Sequence, residues 1–189
     1  MTVKFIREQK SGRITVGVED DAQVRTYSIS ARQYASMRFV VGGELDENEL
    51  RQLILFDEEY RATKKALSLL SYSDKNAKTL YLRLLNEGFS REVARGAVNY
   101  CLEHGYINEK KQLERIVSSE ANHALHGPRY IRDKLAAKGY SRADIDSTLD
   151  ALIDSGEIDF DLIFGVLCEK KGATTPEERK ALAYKYGFK

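Results

Sequence analysis

The sequence contains an internal repeat with a period of 51 residues. Gly88-Phe89-Ser90-Arg91 returns as Gly139-Tyr140-Ser141-Arg142, a displacement of 139 − 88 = 51. The same register relates Leu84 to Leu135, Val98 to Leu149, Leu102 to Ile153, Gly105 to Gly156, and Ile107 to Ile158. Periods of roughly 20–50 residues are typical of stacked supersecondary units, because each unit buries its apolar face only against a neighbour. The chain is therefore predicted to form an array of similar units.

Apolar spacing and helix punctuation predict three helices in each period. The predicted helices of the first unit are Glu59 to Ser71, Asp74 to Asn86 and Ser90 to His104, and those of the second are Glu109 to Ala124, Pro128 to Lys138 and Ser141 to Asp154. A third unit begins at Phe160 and includes a capping box at Thr175 to Glu178, but the sequence ends soon after Gly187-Phe188. We therefore expect the third unit to be incomplete.

The middle helix of the second unit has clear start and stop signals. Pro128 suits a first helical turn, where its missing N–H would be unpaired anyway, and Gly139 suits the left-handed stop. Ser141 is then predicted to cap the next helix through its side-chain oxygen. The stretch reads as helix, tight turn, helix.

The first thirty residues predict a small β element instead of helices. β-Branched and aromatic residues alternate with polar ones in residues 3–5, 13–18 and 24–29. Turn residues separate these runs, which favours an antiparallel meander that packs on a helix near Ser30 to Arg38. Asp46 and Glu49 then form a capping-box-like start to a long helical region that reaches Leu70.

These signals together predict a mainly α fold. We expect tandem three-helix repeats in an elongated curved array, with a small N-terminal antiparallel β element. The predicted segments are a β-rich part with a short helix at 1–43, a first repeat with its leading helix at 44–108, a second repeat at 109–159, and an incomplete third repeat at 160–189.

Charge and hydropathy limit the possible partners. Thirty basic and 29 acidic residues give a formal charge of +1, so no global field attracts nucleic acid or anionic lipid and any electrostatic recognition must be local. No apolar run approaches the roughly 20 residues that cross a bilayer, and the N-terminus lacks a secretory core. We expect a cytoplasmic protein without membrane contact. Cys101 and Cys168 are predicted to be buried, inert core residues.

A local basic surface is the candidate binding site. Its predicted partner-binding residues are Arg129, Tyr130, Arg132, Lys134, Lys138 and Arg142. The following stretch, Asp144 to Asp161, carries acids and no lysine or arginine, so the unit is dipolar and suits a partner with patches of both signs. The structural alternative is that these charges are solvated faces, that Tyr130 packs on a neighbouring helix, and that the Lys138 stem covers core.

No catalytic or ligand-binding motif accompanies this surface. His104, His123 and His126 lack neighbours at metal-binding spacing, Val41-Gly42-Gly43 lacks the rest of a phosphate loop, and no nucleophile elbow occurs. We predict a protein that is not an enzyme and that binds no cofactor or metal.

The residues His126 to Leu135, followed by Gly139-Tyr140-Ser141 and Ser155 to Asp159, resemble the tandem three-helix repeat of the RecX family. Ala66 to Ser71 is similar to the opening of that family's first repeat, and Gly187-Phe188 to the corresponding turn of its third, so the resemblance covers nearly the whole chain.

The resemblance implies a regulator that binds the RecA recombinase filament on single-stranded DNA and mainly inhibits its ATPase, strand-exchange and coprotease activities. It implies a role in homologous recombination, DNA repair and the SOS response, weak direct DNA contact at most, and a monomer. Two other functions stay open at this point. One is a helix-turn-helix-like protein that binds DNA directly through Arg129, Arg132 and Arg142, and the other is a helical adaptor for an unrelated protein.

Overall fold

The computed structural model describes all 189 residues, Met1 to Lys189. Its elements are β1 (Thr2–Glu8), β2 (Arg13–Asp20), β3 (Gln23–Ser30), α1 (Ala31–Met37), α2 (Glu47–Tyr72), α3 (Ala77–Asn86), α4 (Arg91–Glu103), α5 (Glu109–Asn122), α6 (Pro128–Ala137), α7 (Arg142–Asp154), α8 (Phe160–Lys171) and α9 (Pro176–Tyr186). The predicted mainly α fold with a small N-terminal antiparallel sheet is confirmed. No helix is both long and apolar enough to cross a membrane.

The chain folds into two compact units. The first comprises residues 1–73 and 80–106, and the second comprises 74–79 and 107–189. This division is coarser than the four segments predicted from the sequence, which stay a prediction.

The first unit is built on a meander of order β1-β2-β3. The β2–β3 hairpin closes through Asp21 and Ala22, which both have positive φ (44° and 62°), as the tightest two-residue hairpins require. The inward sheet face packs with residues from α1, α2 and the loop between them. Its core consists of Val3, Ile14, Val16, Val18, Tyr27, Ile29, Met37, Phe39, Leu45 and Leu53.

The long helical region predicted to begin at Asp46 and Glu49 and to reach Leu70 is confirmed. The capping box of Asp46 and Glu49 starts α2, and the helix continues without a break to Tyr72. The leading segment and the predicted helix from Glu59 to Ser71 are therefore one helix, because no glycine or proline interrupts 47–72. Helix α4 packs along α2 in this unit.

The second unit contains helices α5 to α9. Its core is formed by Leu113, Val117, Ala121, Leu125, Ile131, Leu135, Ile145, Leu149, Leu152, Ile158, Ile163 and Leu167, with Phe160, Phe164 and Phe188 packed against it. Residues of the second and third predicted repeats thus share one core, as stacked units that cannot bury their own apolar faces should.

The segment 74–79 is tied to the second unit by polar contacts. The Ala77 N–H donates to Glu109 Oε1 at 2.7 Å, and the Asn76 side-chain amide donates to the Lys138 carbonyl at 2.9 Å. Asn76 also accepts from the Thr79 N–H, which satisfies a free donor at the start of α3. Only 3% of Asn76 is exposed, so these bonds replace the water that the amide loses on burial.

The predicted turn before α7 is confirmed, but its predicted cap is wrong. Gly139 has φ +95°, and the Tyr140 N–H donates to the Leu135 carbonyl at 3.2 Å, which closes the end of α6. Ser141 occupies the N-cap position, yet its side chain makes no capping hydrogen bond. Its backbone carbonyl still accepts from the Ile145 N–H, so α7 begins where expected. Cys101 and Cys168 are both free and buried, as predicted.

Candidate partner-binding surface on helix α6

The start of α6 lies directly against the end of the chain. The Gly127 N–H donates to the Tyr186 carbonyl at 2.7 Å, and the Arg129 N–H donates to the Gly187 carbonyl at 3.0 Å. A β-carbon on Gly127 would lie 2.5 Å from the Gly187 backbone, closer than real β-carbons come to any atom. Glycine at 127 is therefore required by this close approach, and α6 is held by backbone contacts as well as by its apolar face.

Arg129 reaches across to α9. Its Nη2 donates to the Tyr184 carbonyl at 2.9 Å, and its guanidinium lies 5.8 Å from the centre of the Tyr184 ring. This bond satisfies one of the carbonyls that the last turn of α9 leaves free. The remaining guanidinium donors stay available at the surface.

The Tyr130 side chain is partly buried. Its ring stacks on His126 with centroids 3.8 Å apart, while 36% of the residue is exposed. The Lys134 ammonium lies 5.6 Å from the same ring. One side of the ring therefore packs within the unit, and the exposed part remains accessible to a partner.

Lys134 belongs to a half-buried charge cluster. Its Nζ lies 2.6 Å from Glu120 Oε1, and His126 Nδ1 lies 2.9 Å from Glu120 Oε2. Burial of Glu120 acts to raise the pKa of its carboxyl, but the hydrogen bonds and charges of Lys134 and His126 outweigh it and lower that pKa. Glu120 on α5 therefore binds α6 through Lys134 and the loop before α6 through His126.

The other three predicted cations lie on α6 (Arg132), at its C-terminal cap (Lys138) and at the start of α7 (Arg142). Arg132 Nε contacts Asp146 Oδ1 on α7 at 2.6 Å, with both side chains about half exposed. Lys138 and Arg142 are exposed and take part in none of the ion pairs of this structure. Arg129, Arg132 and Lys134 thus face α9, α7 and α5 respectively, so the six predicted residues do not form one continuous basic face.

One shallow pocket does bring three of them together. It has a volume of about 310 Å³ and is lined by Arg129, Tyr130, Asp133, Lys134, Tyr184, Lys185 and Gly187. We call this the α6–α9 pocket. Three cations and two aromatic rings against one carboxylate suit an anionic or planar group. Tyr184 and Lys185 were not predicted as site residues, because they lie 54 or more residues beyond Tyr130 and periodicity does not show which helices pack together. The spacing of basic and aromatic residues along α9 was the available signal.

The structure contains no group of three or more His, Cys, Asp and Glu side chains that could hold a metal ion. His104 instead contacts the Tyr100 carbonyl through Nδ1 at 2.9 Å, in keeping with a histidine at a helix end.

Comparison with known proteins identifies relatives of this chain. No family model matches the sequence. The regulatory protein RecX of Lactobacillus gasseri is 22% identical over 182 residues, which cover 96% of this chain and 66% of that protein. The regulatory protein RecX of Clostridioides difficile is 30% identical over 112 residues, 59% of this chain and 52% of the relative. The chain is therefore similar to proteins named regulatory protein RecX over most of its length.

A solved structure of a regulatory protein RecX has the same fold. It superposes with a TM-score of 0.72 at 20% identity and covers 95% of this chain and 88% of the solved one. The solved structure shows that the fold is shared, and the curated relatives confirm the predicted resemblance to the RecX family. This chain spans between about half and two thirds of the length of the curated RecX proteins named above.

Proposed function

We propose that this chain is a regulator without catalytic activity of its own, which binds the RecA filament on single-stranded DNA and inhibits its ATPase, strand-exchange and coprotease activities. The observation that carries the proposal is the similarity to proteins named regulatory protein RecX, which extends over 96% of the chain in one of them. We further propose that it acts as a cytoplasmic monomer and that any direct contact with DNA is weak.

The geometry supports α6 and its neighbours as the contact surface. The α6–α9 pocket offers Arg129, Tyr130 and Lys134 from α6 with Tyr184 and Lys185 from α9. Arginine and tyrosine are enriched in protein interfaces, because they combine large contact area with directional hydrogen bonds. Arg132, Lys138 and Arg142 stand outside the pocket and would contact a partner that extends beyond it.

The function is tested by the DNA-dependent ATPase of a RecA recombinase with the chain added in increasing amounts. We expect inhibition by the wild type, and weaker inhibition by Arg129→Ala/Arg132→Ala with an unchanged circular-dichroism spectrum. Arg25→Ala/Arg32→Ala is the matched control, because both arginines are exposed and lie in the first unit. Absence of inhibition by the wild type, under conditions where filaments form, would contradict the proposal.

A salt titration on labelled duplex DNA separates the alternatives. Direct DNA binding without RecA would lose affinity steeply as salt rises, because cations on the protein displace counterions from phosphates. Arg129 donates a hydrogen bond to the Tyr184 carbonyl, and Arg132 donates one to Asp146. Arg142 takes part in no ion pair, so it is the most available of the three arginines for contact with a phosphate. If the chain neither inhibits RecA nor binds DNA, the result would favour the third function, a helical adaptor for an unrelated protein.

A further inference from the structure

A pocket of about 470 Å³ lies within the first unit, where the sheet meets α1, α2 and α4. We call it the α2–α4 pocket. Specific small-molecule sites usually measure roughly 300–1,000 Å³ and combine apolar walls with a few polar groups. None of the residues proposed to contact RecA lines the α2–α4 pocket, so the function proposed above does not account for it.

Arg13, at the start of β2, contributes a cation to the lining without a counter-charge. Its Nη2 donates to the Ser28 carbonyl at 3.0 Å, and its guanidinium lies 3.4 Å from the centre of the Tyr60 ring. Its Nε is fully buried without a hydrogen-bond partner, and Nη1 donates to no protein atom. No ion pair joins Arg13 to a carboxylate. Burial of this unpaired charge lowers the pKa of Arg13 below its usual value.

The neighbouring carboxylates are engaged by other groups and do not neutralise Arg13. Asp57 Oδ1 accepts from a backbone N–H of β3 at 2.8 Å, and Asp57 Oδ2 pairs with Arg61 Nε at 2.9 Å. Glu59 lies in the lining, but its carboxylate accepts from the Gln33 side-chain amide at 3.4 Å. A guanidinium that is partly removed from water binds an anion through strong, charge-assisted hydrogen bonds. The α2–α4 pocket therefore favours an anionic ligand group beside Arg13.

A second cation and three aromatic rings complete the lining that matters for recognition. Lys64 is exposed and takes part in no ion pair. Phe56 and Tyr60 form the wall on α2, and Tyr100 forms the wall on α4. The Tyr100 ring stacks on His104 with centroids 4.0 Å apart, and His104 Nδ1 contacts the Tyr100 carbonyl at 2.9 Å. The Tyr100 ring is thus held in place within its own helix, and rings of this kind stack with planar ligands.

We infer that the α2–α4 pocket binds a small planar ligand that carries a carboxylate or phosphate group. The anionic group contacts Arg13 and Lys64, and the planar part lies against the Tyr100 ring. Glu59 acts against binding, because its negative charge lies in the same lining. The inference goes beyond the function proposed above and does not depend on it, since the α6–α9 pocket shares no residue with this one.

The test titrates the full chain with four compounds by isothermal titration calorimetry. Adenosine 5′-monophosphate combines a planar base with a phosphate, and indole-3-acetate combines a planar ring with a carboxylate. Adenosine and indole are the matched compounds without the anionic group. We expect at least one anion to bind with a dissociation constant below about 100 μM, and its uncharged counterpart to bind at least about tenfold more weakly. The anion that binds more tightly identifies the ligand as a phosphate or a carboxylate.

The site of binding is read by NMR and by variants of the full chain. The bound anion should shift the side-chain Nε–H resonance of Arg13 and the amide resonance of Tyr100. Lys64→Gln should weaken binding by roughly threefold to tenfold. Lys10→Gln is the matched control, because it makes the same charge change at an exposed position outside the lining, and it should leave affinity within about twofold.

Two further variants address the charges at the centre of the pocket. Arg13→Gln should weaken binding by about tenfold or more, in a protein whose circular-dichroism spectrum matches the wild type. Glu59→Gln should strengthen binding of the anion by about threefold or more, because it removes the repulsive charge. A gain in affinity is a result that a disturbed fold does not produce, so Glu59→Gln and Lys64→Gln test the site even if Arg13→Gln does not fold.

Each opposite result overturns the inference. Absence of binding by both anions would do so, as would equal binding of their uncharged counterparts. Equal losses in Lys64→Gln and Lys10→Gln would show that only net charge attracts the ligand. An unchanged or weakened affinity in Glu59→Gln, or an Arg13 Nε–H resonance that the saturating anion does not move, would place the anion elsewhere.

Discussion

The turn between α3 and α4 and the turn between α6 and α7 are built on the same backbone but carry different surfaces. Gly88 has φ +90° and Gly139 has φ +95°. In each case the following aromatic N–H, of Phe89 or Tyr140, donates at 3.2 Å to a leucine carbonyl five residues earlier. The helix before each turn buries two aliphatic residues completely: Leu80 and Leu84 in α3, Ile131 and Leu135 in α6. The repeat therefore preserves the apolar stripe and the left-handed glycine.

The positions around this shared frame differ in ways that follow from their neighbours. Residue 76 is asparagine and caps α3, whereas residue 127 is glycine because the chain end approaches it. Lys78, Tyr81 and Arg83 stand where the second repeat has Arg129, Arg132 and Lys134. Leu69 stands at the position of Glu120, so the first repeat has no carboxylate there to pair with Arg83. A fold can thus be repeated while the chemistry of its surface is not.

Gly127→Ala should produce the largest loss of stability among these variants. It tests the close backbone contact at the start of α6. The new β-carbon has no room against the Gly187 backbone, so the end of the chain must move away. We expect a loss of about 2–3 kcal/mol in the stability of the second unit, as for other overpacked sites. Chemical denaturation with hydrogen exchange on α6 amides measures it.

Gly165→Ala is the control, because a β-carbon at this helical position meets open space. It should stabilise α8 by about 0.5–1 kcal/mol. A Gly127→Ala protein as stable as the wild type would show that the contact between Gly127 and Gly187 is not essential.

Glu120→Gln tests the charge cluster that the second repeat has and the first repeat lacks, through the pH dependence of protein stability. The Glu120 pKa is lowered in the folded chain, with Lys134 and His126 overcoming the burial that opposes ionisation. Its stabilising contribution is therefore present above the pKa of an unfolded glutamate, about 4.3, and is lost as pH falls through the lower folded pKa. The variant should lose about 1–2 kcal/mol at pH 7 and respond less to acid over that range.

The measurement is the midpoint of urea unfolding as a function of pH. Glu114→Gln, on the same helix but without an ion pair, is the control. Parallel pH profiles for wild type and Glu120→Gln would contradict the role of the cluster.

Tyr140→Phe removes the hydroxyl from the turn before α7, so that this turn carries the same side chain as the turn before α4, where the equivalent residue is Phe89. The Tyr140 hydroxyl donates to Gln112 Oε1 at 2.9 Å, and the Gln112 amide donates to the Lys75 carbonyl at 3.3 Å. Burial, followed by the charges of Glu109 and Asp74, raises the pKa of Tyr140, so the hydroxyl remains a donor well into alkaline solution. We expect a loss of about 1 kcal/mol by thermal unfolding. An unchanged midpoint would mean that water replaces the phenol.

Ser90→Ala and Ser141→Ala should give the smallest effects and differ from each other. The Ser90 side chain accepts from the Val93 N–H at 3.3 Å, whereas Ser141 makes no such bond. The first substitution should cost roughly 0.5–1 kcal/mol and the second close to nothing. Equal losses, measured by denaturant unfolding of the two variants side by side, would contradict this asymmetry.

The repeated apolar and glycine positions made the helices and turns predictable from the sequence, because these signals are local. The same was true of the capping boxes at Asp46 and Thr175. The arrangement of the cations was not predictable, since it depends on which helix each side chain reaches. Arg129 meets α9, which lies 55 residues away in sequence at Tyr184. Periodicity within one helix contains no information on such partners.

The most direct test of the account compares RecA ATPase inhibition by equivalent double variants of the two repeats. Arg129→Ala/Lys134→Ala removes two cations of the α6–α9 pocket, and Lys78→Ala/Arg83→Ala removes the cations at the same repeat positions in α3. The account predicts that the second-repeat variant needs at least tenfold more protein for half-inhibition, about 1.4 kcal/mol, while the first-repeat variant stays within about twofold of wild type. Equal inhibition by both variants, or a larger loss in the first repeat, would contradict it.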